Sequence, residues 1–261
     1  MIATNCIIDT YPELKNASFD QAASIFSSYG TLKSNRELNE IVFDNLGIET
    51  DENHARSIIN YITTQKYPNE SVIKSAFINS VLFKTKNHVT IFELNANNCR
   101  VDLCKINGES IAYEIKTDLD NLDRLKKQLS EYLLVFEKVY VICSIDRVEE
   151  VSKTIPTCVG IYTYKLNRYG AYSFCKKKEA IKSNSINPEK QLHMLTQQER
   201  KEQKLTDNCN PQKINAIFKK ALKKRYNDQW IFLNNHKSDI YDIDYQWFFK
   251  NQIKPSIIYE Y

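Results

Sequence analysis

The sequence predicts an α/β protein in which a mixed sheet is flanked by helices. Three observations lead to this prediction. The segments after Pro68 follow the order helix, three strands, helix, strand. The dipeptide Asn107-Gly108 is a two-residue turn of the kind that joins antiparallel strands in a hairpin. Finally, Lys138–Ser144 is short and almost wholly apolar, which is typical of a strand buried on both faces.

Periodicity, helix-capping residues and helix-ending glycines place the individual elements. Gly30 and Gly47 follow the first two predicted helices, and Asn69 is expected to cap the fourth. The predicted helices are 18–29, 34–46, 54–65, 69–83, 119–136 and 211–226, and the predicted strands are 88–94, 100–106, 110–116, 138–144, 159–165 and 169–174.

The elements divide the chain into three predicted segments: an N-terminal helical region (1–66), a core (67–175), and a basic linker with a C-terminal helical region (176–261). The stretch from 176 to about 210 is basic and polar, which favours a partly mobile linker. The last roughly 35 residues, which hold Trp230, Trp247, Phe248 and Phe249, are expected to pack back onto the body.

Composition excludes several classes of protein. No apolar run approaches the roughly 20 residues that cross a bilayer, and no signal peptide is recognisable, so no membrane partner is expected. The seven cysteines are odd in number and include no CxxC pair, which argues against a zinc or disulfide framework and favours the cytoplasm. Only five glycines are present, and they form no phosphate-binding loop.

The segment Tyr113-Glu114-Ile115-Lys116 carries the predicted chemistry. Strand side chains alternate, so Glu114 and Lys116 share one face while the two apolar residues dock into the core. Asp102 lies on the preceding strand, across the hairpin. Two carboxylates on neighbouring strands with an ammonium group nearby suit a hard divalent cation, Mg²⁺ or Mn²⁺. Such a cation activates water for phosphodiester hydrolysis, and Lys116 would serve the nucleophile.

Glu70 is a further predicted metal ligand. It precedes Ile73 by three positions and Phe77 by seven, so it shares the inward face of the helix that Asn69 caps. A first-turn carboxylate on an inward face could bind the cation directly or through water. The alternative is an acidic residue favoured by the helix dipole.

Four motifs resemble the PD-(D/E)XK nuclease superfamily, and more narrowly a family of small bacterial proteins with the same motif order. They are Tyr67-Pro68-Asn69-Glu70, Arg100-Val101-Asp102, Tyr113-Glu114-Ile115-Lys116, and Arg124-Leu125 followed by Gln128 and Tyr132. The last also resembles the Q-x-x-x-Y element of the RecB-type branch. The resemblance covers about residues 67–175.

The resemblance implies a restriction-endonuclease-like core and a Mg²⁺- or Mn²⁺-dependent nuclease that hydrolyses DNA without a covalent intermediate. It gives Gln128 the role of orienting catalytic groups or DNA, with Tyr132 in support. DNA is the leading substrate by resemblance alone. Neither the choice between DNA and RNA nor the oligomeric state follows from the sequence.

Several neighbouring residues have two readings. Glu93 is more simply an outward strand residue than an extra ligand. Arg100 contacts either phosphate or a carboxylate. The aspartates at 118, 120 and 123 are expected to cap the following helix.

A basic block could bind a polyanion. The stretch 176–226 holds 14 Lys/Arg against 5 Asp/Glu, in a chain whose net charge is only +4. It is equally well a solvated helix face. The predicted nucleic-acid contacts are Arg100, Arg124, Lys219, Lys220, Lys223 and Lys224.

Two other classes of function stay open. A catalytically inactive module on the nuclease fold would bind nucleic acid or a protein partner in a regulatory role. A protein-binding adaptor would use the aromatic C-terminal region as its interface.

Overall fold

The computed structural model describes residues 4–51, 54–168, 170–203 and 210–260, with side chains from residue 7 onwards. Some sequence predictions fall outside these described residues. They concern the thiol of Cys6, the start of the predicted strand at Tyr169, and residues 204–209 of the basic segment, which include Cys209.

The chain forms two compact units. The sheet unit is Phe77–Trp230, and the helical unit combines Met1–Ala76 with Ile231–Tyr261. This division follows compactness; the three segments drawn from the sequence stay a prediction.

The sheet unit is built on one six-stranded mixed sheet whose strands follow chain order. β1, β2 and β3 are antiparallel, β4 and β5 add in parallel, and β6 pairs antiparallel with β5. The predicted α/β class is confirmed, and so is the element order. The strands are β1 Val89–Ala96, β2 Cys99–Asn107, β3 Glu109–Lys116, β4 Lys138–Ser144, β5 Gly160–Leu166 and β6 Tyr172–Lys178.

Helices make up most of the remaining regular structure. Short 3₁₀ turns lie at Pro12–Asn16, Ile145–Arg147 and Asp242–Asp244, and a π turn lies at Ile78–Leu82. The α-helices are α1 Thr4–Thr10, α2 Phe19–Ser28, α3 Asn35–Leu46, α4 Ala55–Lys66, α5 Glu70–Phe77, α6 Leu125–Leu133, α7 Val148–Thr154, α8 Pro188–His193, α9 Gln197–Glu202, α10 Pro211–His236, α11 Tyr245–Asn251 and α12 Pro255–Tyr259.

The two faces of β3 meet different surroundings. The Tyr113 ring lies 5.1 Å from the Phe77 ring and 5.7 Å from the Tyr140 ring, centroid to centroid, in an aromatic cluster on one face. Helix α6 lies on the opposite face, where its Tyr132 reaches the Glu114 carboxylate. Because α6 covers this face, Glu114 is only 1% exposed and does not project into solvent.

Helix α6 is shorter than the predicted helix 119–136, and the predicted capping by three aspartates is wrong. Arg124 occupies the N-cap position and makes no side-chain capping bond. Asp120 instead accepts hydrogen bonds from the backbone N–H and the hydroxyl of Thr117, both at 2.8 Å. A side chain that binds nearby backbone groups in this way competes with helix formation. The chain therefore forms a loop over residues 117–124.

The basic segment contains two short helices, α8 and α9, within the part that the structure describes. Asn187 caps α8 by accepting from two backbone N–H groups, and Thr196 forms a capping box with Glu199 at the start of α9. The backbone N–H of Ser183 donates to the carbonyl of Glu137 at 2.7 Å. The sequence did not predict these two helices, and the linker assignment itself stays a prediction.

The helical unit has its own apolar core, to which α1–α4 contribute. Ser18 and Ser34 form capping boxes at the starts of α2 and α3, and Gly47 ends α3 with a φ of 67°. Such a left-handed residue is where glycine has no steric penalty. In the same unit Phe248 and Phe249 of α11 are buried, as expected from the sequence.

A buried aspartate links the two sequence segments of the helical unit. Asp244 is fully buried and accepts hydrogen bonds from the hydroxyls of Tyr29, Thr31 and Tyr259. Burial raises its pKa, although the hydroxyl donors and Arg56 act in the opposite direction.

Among the described residues, no helix combines the length and apolarity that a bilayer crossing requires.

Candidate metal and phosphodiester site

Three acidic residues form a row across the first three strands of the sheet. The pairs Phe92↔Leu103 and Leu94↔Val101 set the β1–β2 register, which puts Glu93 opposite Asp102. The β2–β3 register, continued by one residue beyond Leu103↔Tyr113, puts Asp102 opposite Glu114. We call Glu93, Asp102 and Glu114 the carboxylate row.

Asp102 occupies the middle of the carboxylate row and is 8% exposed. Its Oδ2 accepts the backbone N–H of Ile115 at 2.7 Å. The β2–β3 ladder ends before Ile115, so the Asp102 carboxylate replaces a backbone carbonyl as the acceptor for this N–H. This bond fixes the orientation of Asp102 relative to β3.

Glu114 is held by two side chains. Lys116 Nζ lies 2.8 Å from its Oε1, and the Tyr132 hydroxyl lies 2.8 Å from its Oε2. The Tyr132 hydroxyl also lies 2.7 Å from the carbonyl of Arg100 on β2. The i+2 spacing places the Glu114 and Lys116 groups on one strand face, as the sequence predicted. Tyr132 contacts the acidic residue directly.

The Lys116 ammonium group stays protonated at neutral pH. Burial lowers its pKa, but the Glu114 carboxylate, with Asp102 and Asp120, reverses this, and the net shift is upward. Burial and the Glu114 charge also raise the pKa of Tyr132, which therefore remains a neutral donor.

Glu93 is the residue whose place in the row sequence reasoning missed. It adopts a φ of 51° within β1, a left-handed conformation uncommon for a non-glycine residue. One of its carboxylate oxygens lies within 4.8 Å of one from Asp102. The Asn97-Asn98 turn was the available signal, because Glu93 and Asp102 are equally distant from it along the chain.

The predicted residues around the row have varied surroundings. Arg100 forms an ion pair with Glu93, so a carboxylate contact is what the structure shows for it. Gln128 lies one helical turn before Tyr132, and its Oε1 is closed off from water without a hydrogen-bond partner among the described residues. Glu70 belongs to the helical unit, where it begins α5 and lies 2.8 Å from Lys74 Nζ. Its role as a metal ligand stays a prediction.

An open pocket of about 440 Å³ adjoins Lys116. The loop 117–124 and the first turns of α6 form its walls. We call it the loop pocket. Its lining is Lys116, Leu119, Asp120, Asn121, Asp123, Arg124 and Gln128.

Several basic residues of α10 have partners within the protein. Lys219 Nζ lies 3.0 Å from Glu137, and Lys223 Nζ lies 3.3 Å from the carbonyl of Asn87. Lys224 lies 3.5 Å from Glu202. Lys220 is exposed. Nucleic-acid contact by these residues stays a prediction.

Comparisons with known proteins identify the family. Protein cII of Enterobacteria phage P4 is 41% identical over 68 residues, which is 26% of this chain and 26% of that protein. The match thus spans about a quarter of the curated relative. A protein of unknown function from Silicibacter pomeroyi, SPO1766, aligns at 15% identity with a TM-score of 0.35, over 46% of this chain and 76% of that one. The family model described as Bacteriophage P4 protein cII matches residues 63–246, which is more than half of the chain. The chain belongs to the bacteriophage P4 protein cII family.

Proposed function

We propose that this protein is a Mg²⁺- or Mn²⁺-dependent nuclease that hydrolyses phosphodiester bonds, with DNA as the leading substrate. The observation that carries the proposal is the carboxylate row, with Lys116 beside it. Nucleic acid as the partner and the cytoplasm as the location are parts of the same proposal. The resemblance to PD-(D/E)XK nucleases supports it independently of the family match, which names no activity.

The carboxylate row favours a bound cation, because its neighbouring negative charges destabilise the folded protein unless they are neutralised. Like charges directly opposite each other on neighbouring strands are destabilising. Burial raises that cost, since Asp102 and Glu114 are both nearly inaccessible to water. Lys116 and Arg100 offset part of the charge through their pairs with Glu114 and Glu93. A divalent cation would offset the rest.

The side chains present fit such an ion. Carboxylate oxygens are the ligands that Mg²⁺ and Mn²⁺ prefer. Glu93 and Asp102 already bring oxygens within 4.8 Å of each other, and Asp102 and Glu114 are fixed by hydrogen bonds from Ile115 and Tyr132. Asp102 and Glu114 are the proposed ligands, with Glu93 as a third and Glu70 as the further predicted one.

The chain's own groups would divide the work of hydrolysis. A bound ion supplies Lewis acidity toward a phosphoryl oxygen and toward the attacking water. The Lys116 ammonium group donates to the phosphoryl oxygens and stabilises the negative charge that develops on them. Tyr132 keeps the Glu114 carboxylate in position.

The test is cleavage of plasmid, linear and single-stranded DNA and of RNA, with and without Mg²⁺ or Mn²⁺. The wild type is compared with the double variant Asp102→Ala/Glu114→Ala. We expect cleavage that requires the metal and disappears in the double variant. Cleavage by the double variant at the wild-type rate would overturn the proposal.

A second function is favoured by one specific observation. Both oxygens of Glu114 already have partners within the protein, Lys116 and Tyr132. A binding module without catalysis would keep this closed arrangement. It predicts a folded wild type that binds nucleic acid but gains no thermal stability from Mg²⁺ or Mn²⁺.

A further inference from the structure

We propose that the loop pocket binds one unpaired nucleotide next to the scissile phosphate, so that the substrate is single-stranded or carries an unpaired end. The inference rests on the proposed nuclease function, because it places the nucleotide beside Lys116. It adds a substrate class that neither the motifs nor the family match supplies.

The charges of the loop pocket suit a phosphate at one side. Lys116 and Arg124 both line it. The carboxylate of Asp120, which also lines it, is engaged by the Thr117 backbone N–H and hydroxyl. Asp123 also lines the pocket and is exposed, and its charge offsets part of the two cations. Lys116 and Arg124 are the donors that a phosphate would engage.

The remaining lining suits a base. Leu119 is 48% exposed and gives an apolar surface for the face of a ring. Asn121 and Gln128 give amides, which hydrogen-bond base edges. The Oε1 of Gln128 has no hydrogen-bond partner among the described residues, and a buried acceptor in that state is unfavourable. Turning this amide toward an N–H of a base would relieve it.

The size and stiffness of the pocket favour a single nucleotide over a duplex. A volume of about 440 Å³ is typical of small-molecule sites. A stacked base pair cannot enter such a space, whereas a base outside the stack can. The loop is fastened before binding, because Arg147 donates to the carbonyl of Asp120 at 2.8 Å and Ser144 donates to Asp118 at 2.6 Å. A preformed pocket lowers the entropic cost of binding.

The test measures binding without cleavage. Fluorescence anisotropy in the Glu114→Gln background, with EDTA and at fixed salt, compares a labelled single strand, a blunt duplex and a duplex with an unpaired tail. We expect Leu119→Ala and Arg124→Ala each to weaken binding of the single strand and the tailed duplex by about tenfold. Blunt-duplex binding should change by less than about twofold, since it depends on backbone charge outside the pocket.

Two control variants match these changes outside the pocket. Leu166→Ala removes an exposed leucine from β5, and Lys126→Ala removes one positive charge from the exposed face of α6. Both should leave binding of all three probes unchanged. Equal losses on blunt and tailed duplexes in Leu119→Ala and Arg124→Ala, or no loss on either, would overturn the pocket assignment.

The outcomes separate this inference from the proposed function. Tail-specific binding that depends on Leu119 and Arg124, in a protein that cleaves nothing, would support the pocket and contradict the nuclease. Metal-dependent cleavage without any preference for unpaired nucleotides would support the nuclease and contradict the pocket.

Discussion

Glu114 and Glu137 are two buried glutamates of the same sheet unit, and they differ in what surrounds them. Glu137 is 2% exposed and receives the Ser110 backbone N–H at 2.8 Å and Lys219 Nζ at 3.0 Å. Lys182 and Asn215 each lie 3.1 Å from its other oxygen. Donors therefore surround Glu137.

Glu114 lies in a row of carboxylates instead. The register puts Asp102 opposite it and Glu93 beyond Asp102, while Lys116 and Tyr132 contact its two oxygens. Burial by itself does not distinguish a structural carboxylate from a functional one. The two carboxylates differ in the balance of donors and charges around them: donors satisfy Glu137, whereas Glu114 lies beside further carboxylates, as the proposed cation site requires.

The largest expected difference between the two glutamates concerns catalysis. Glu114→Gln removes a proposed ligand and should lower metal-dependent cleavage by about a hundredfold to a thousandfold. Glu137→Gln should retain cleavage per folded molecule. The measurement is initial rate against Mg²⁺ concentration for both variants. Equal loss in the two variants would mean that Glu114 has no special role.

Thermal stabilisation by metal sharpens the comparison without requiring a substrate. The wild type and Glu137→Gln should both gain melting temperature on addition of Mn²⁺, because a ligand that binds only the folded state stabilises it. Glu114→Gln should lose that gain. A gain of wild-type size in Glu114→Gln would remove this residue from the ligand set.

In urea unfolding, the Glu137 variant should lose more stability than the Glu114 variant, which is the reverse of the order expected for catalysis. Glu137→Ala leaves Lys219 without its carboxylate and should cost about 2–3 kcal/mol, discounted from the buried-pair range because Lys182 is well exposed. Glu114→Gln removes the charge that pairs with Lys116, but it keeps an acceptor oxygen and relieves repulsion within the carboxylate row, so its cost should be smaller than that of Glu137→Ala. A larger cost for Glu114→Gln than for Glu137→Ala would contradict the assignment of roles.

Tyr132→Phe tests how Glu114 is positioned. It deletes the hydroxyl that contacts Glu114 and should reduce cleavage by about tenfold to a hundredfold, the usual effect of removing a group that orients a metal ligand. Tyr140→Phe is the matched control, since it deletes a hydroxyl bound to Glu179. Equal rates for Tyr132→Phe and the wild type would leave Tyr132 with a packing role only.

The smallest expected effect is a pH dependence of stability. Burial raises the pKa of Glu137, but the Ser110 N–H and the two lysines outweigh it, and the pKa is lowered. Its contribution is therefore complete above its unfolded pKa of about 4.3 and is lost as the pH falls through the lower folded value. The stability gap between wild type and Glu137→Gln should shrink on acidification. A gap that widens in acid would contradict this sign.

The local sequence pattern was sufficient to predict the strands and to predict which residues share a face of β3. The period of two in Tyr113–Lys116 put Glu114 and Lys116 on one side, and the turns set which residues face each other across the hairpins. Glu93 follows the same rule. It was passed over because an isolated glutamate in a strand is ordinary until its partner across the turn is aligned with it.

Periodicity was insufficient to predict which of several competing partners a polar side chain binds. Lys219 looks like an exposed cation on an amphipathic helix, yet it binds Glu137, 82 residues away in sequence. Asp120 looks like a helix cap, yet it binds Thr117 and shortens α6, which opens the loop pocket. Neither choice is visible in periodicity, because each depends on which competing partner the fold brings within reach.

The sequence by itself determined the mixed α/β class, the order of the elements and the shared face of Glu114 and Lys116, because these depend on the side-chain period and on turns of a few residues. Only the tertiary structure decided that α6 covers that face and that Tyr132 holds Glu114. These features depend on packing between segments far apart in the chain. Because Glu114 is buried, its charge requires a partner, which a solvent-exposed strand glutamate would not need.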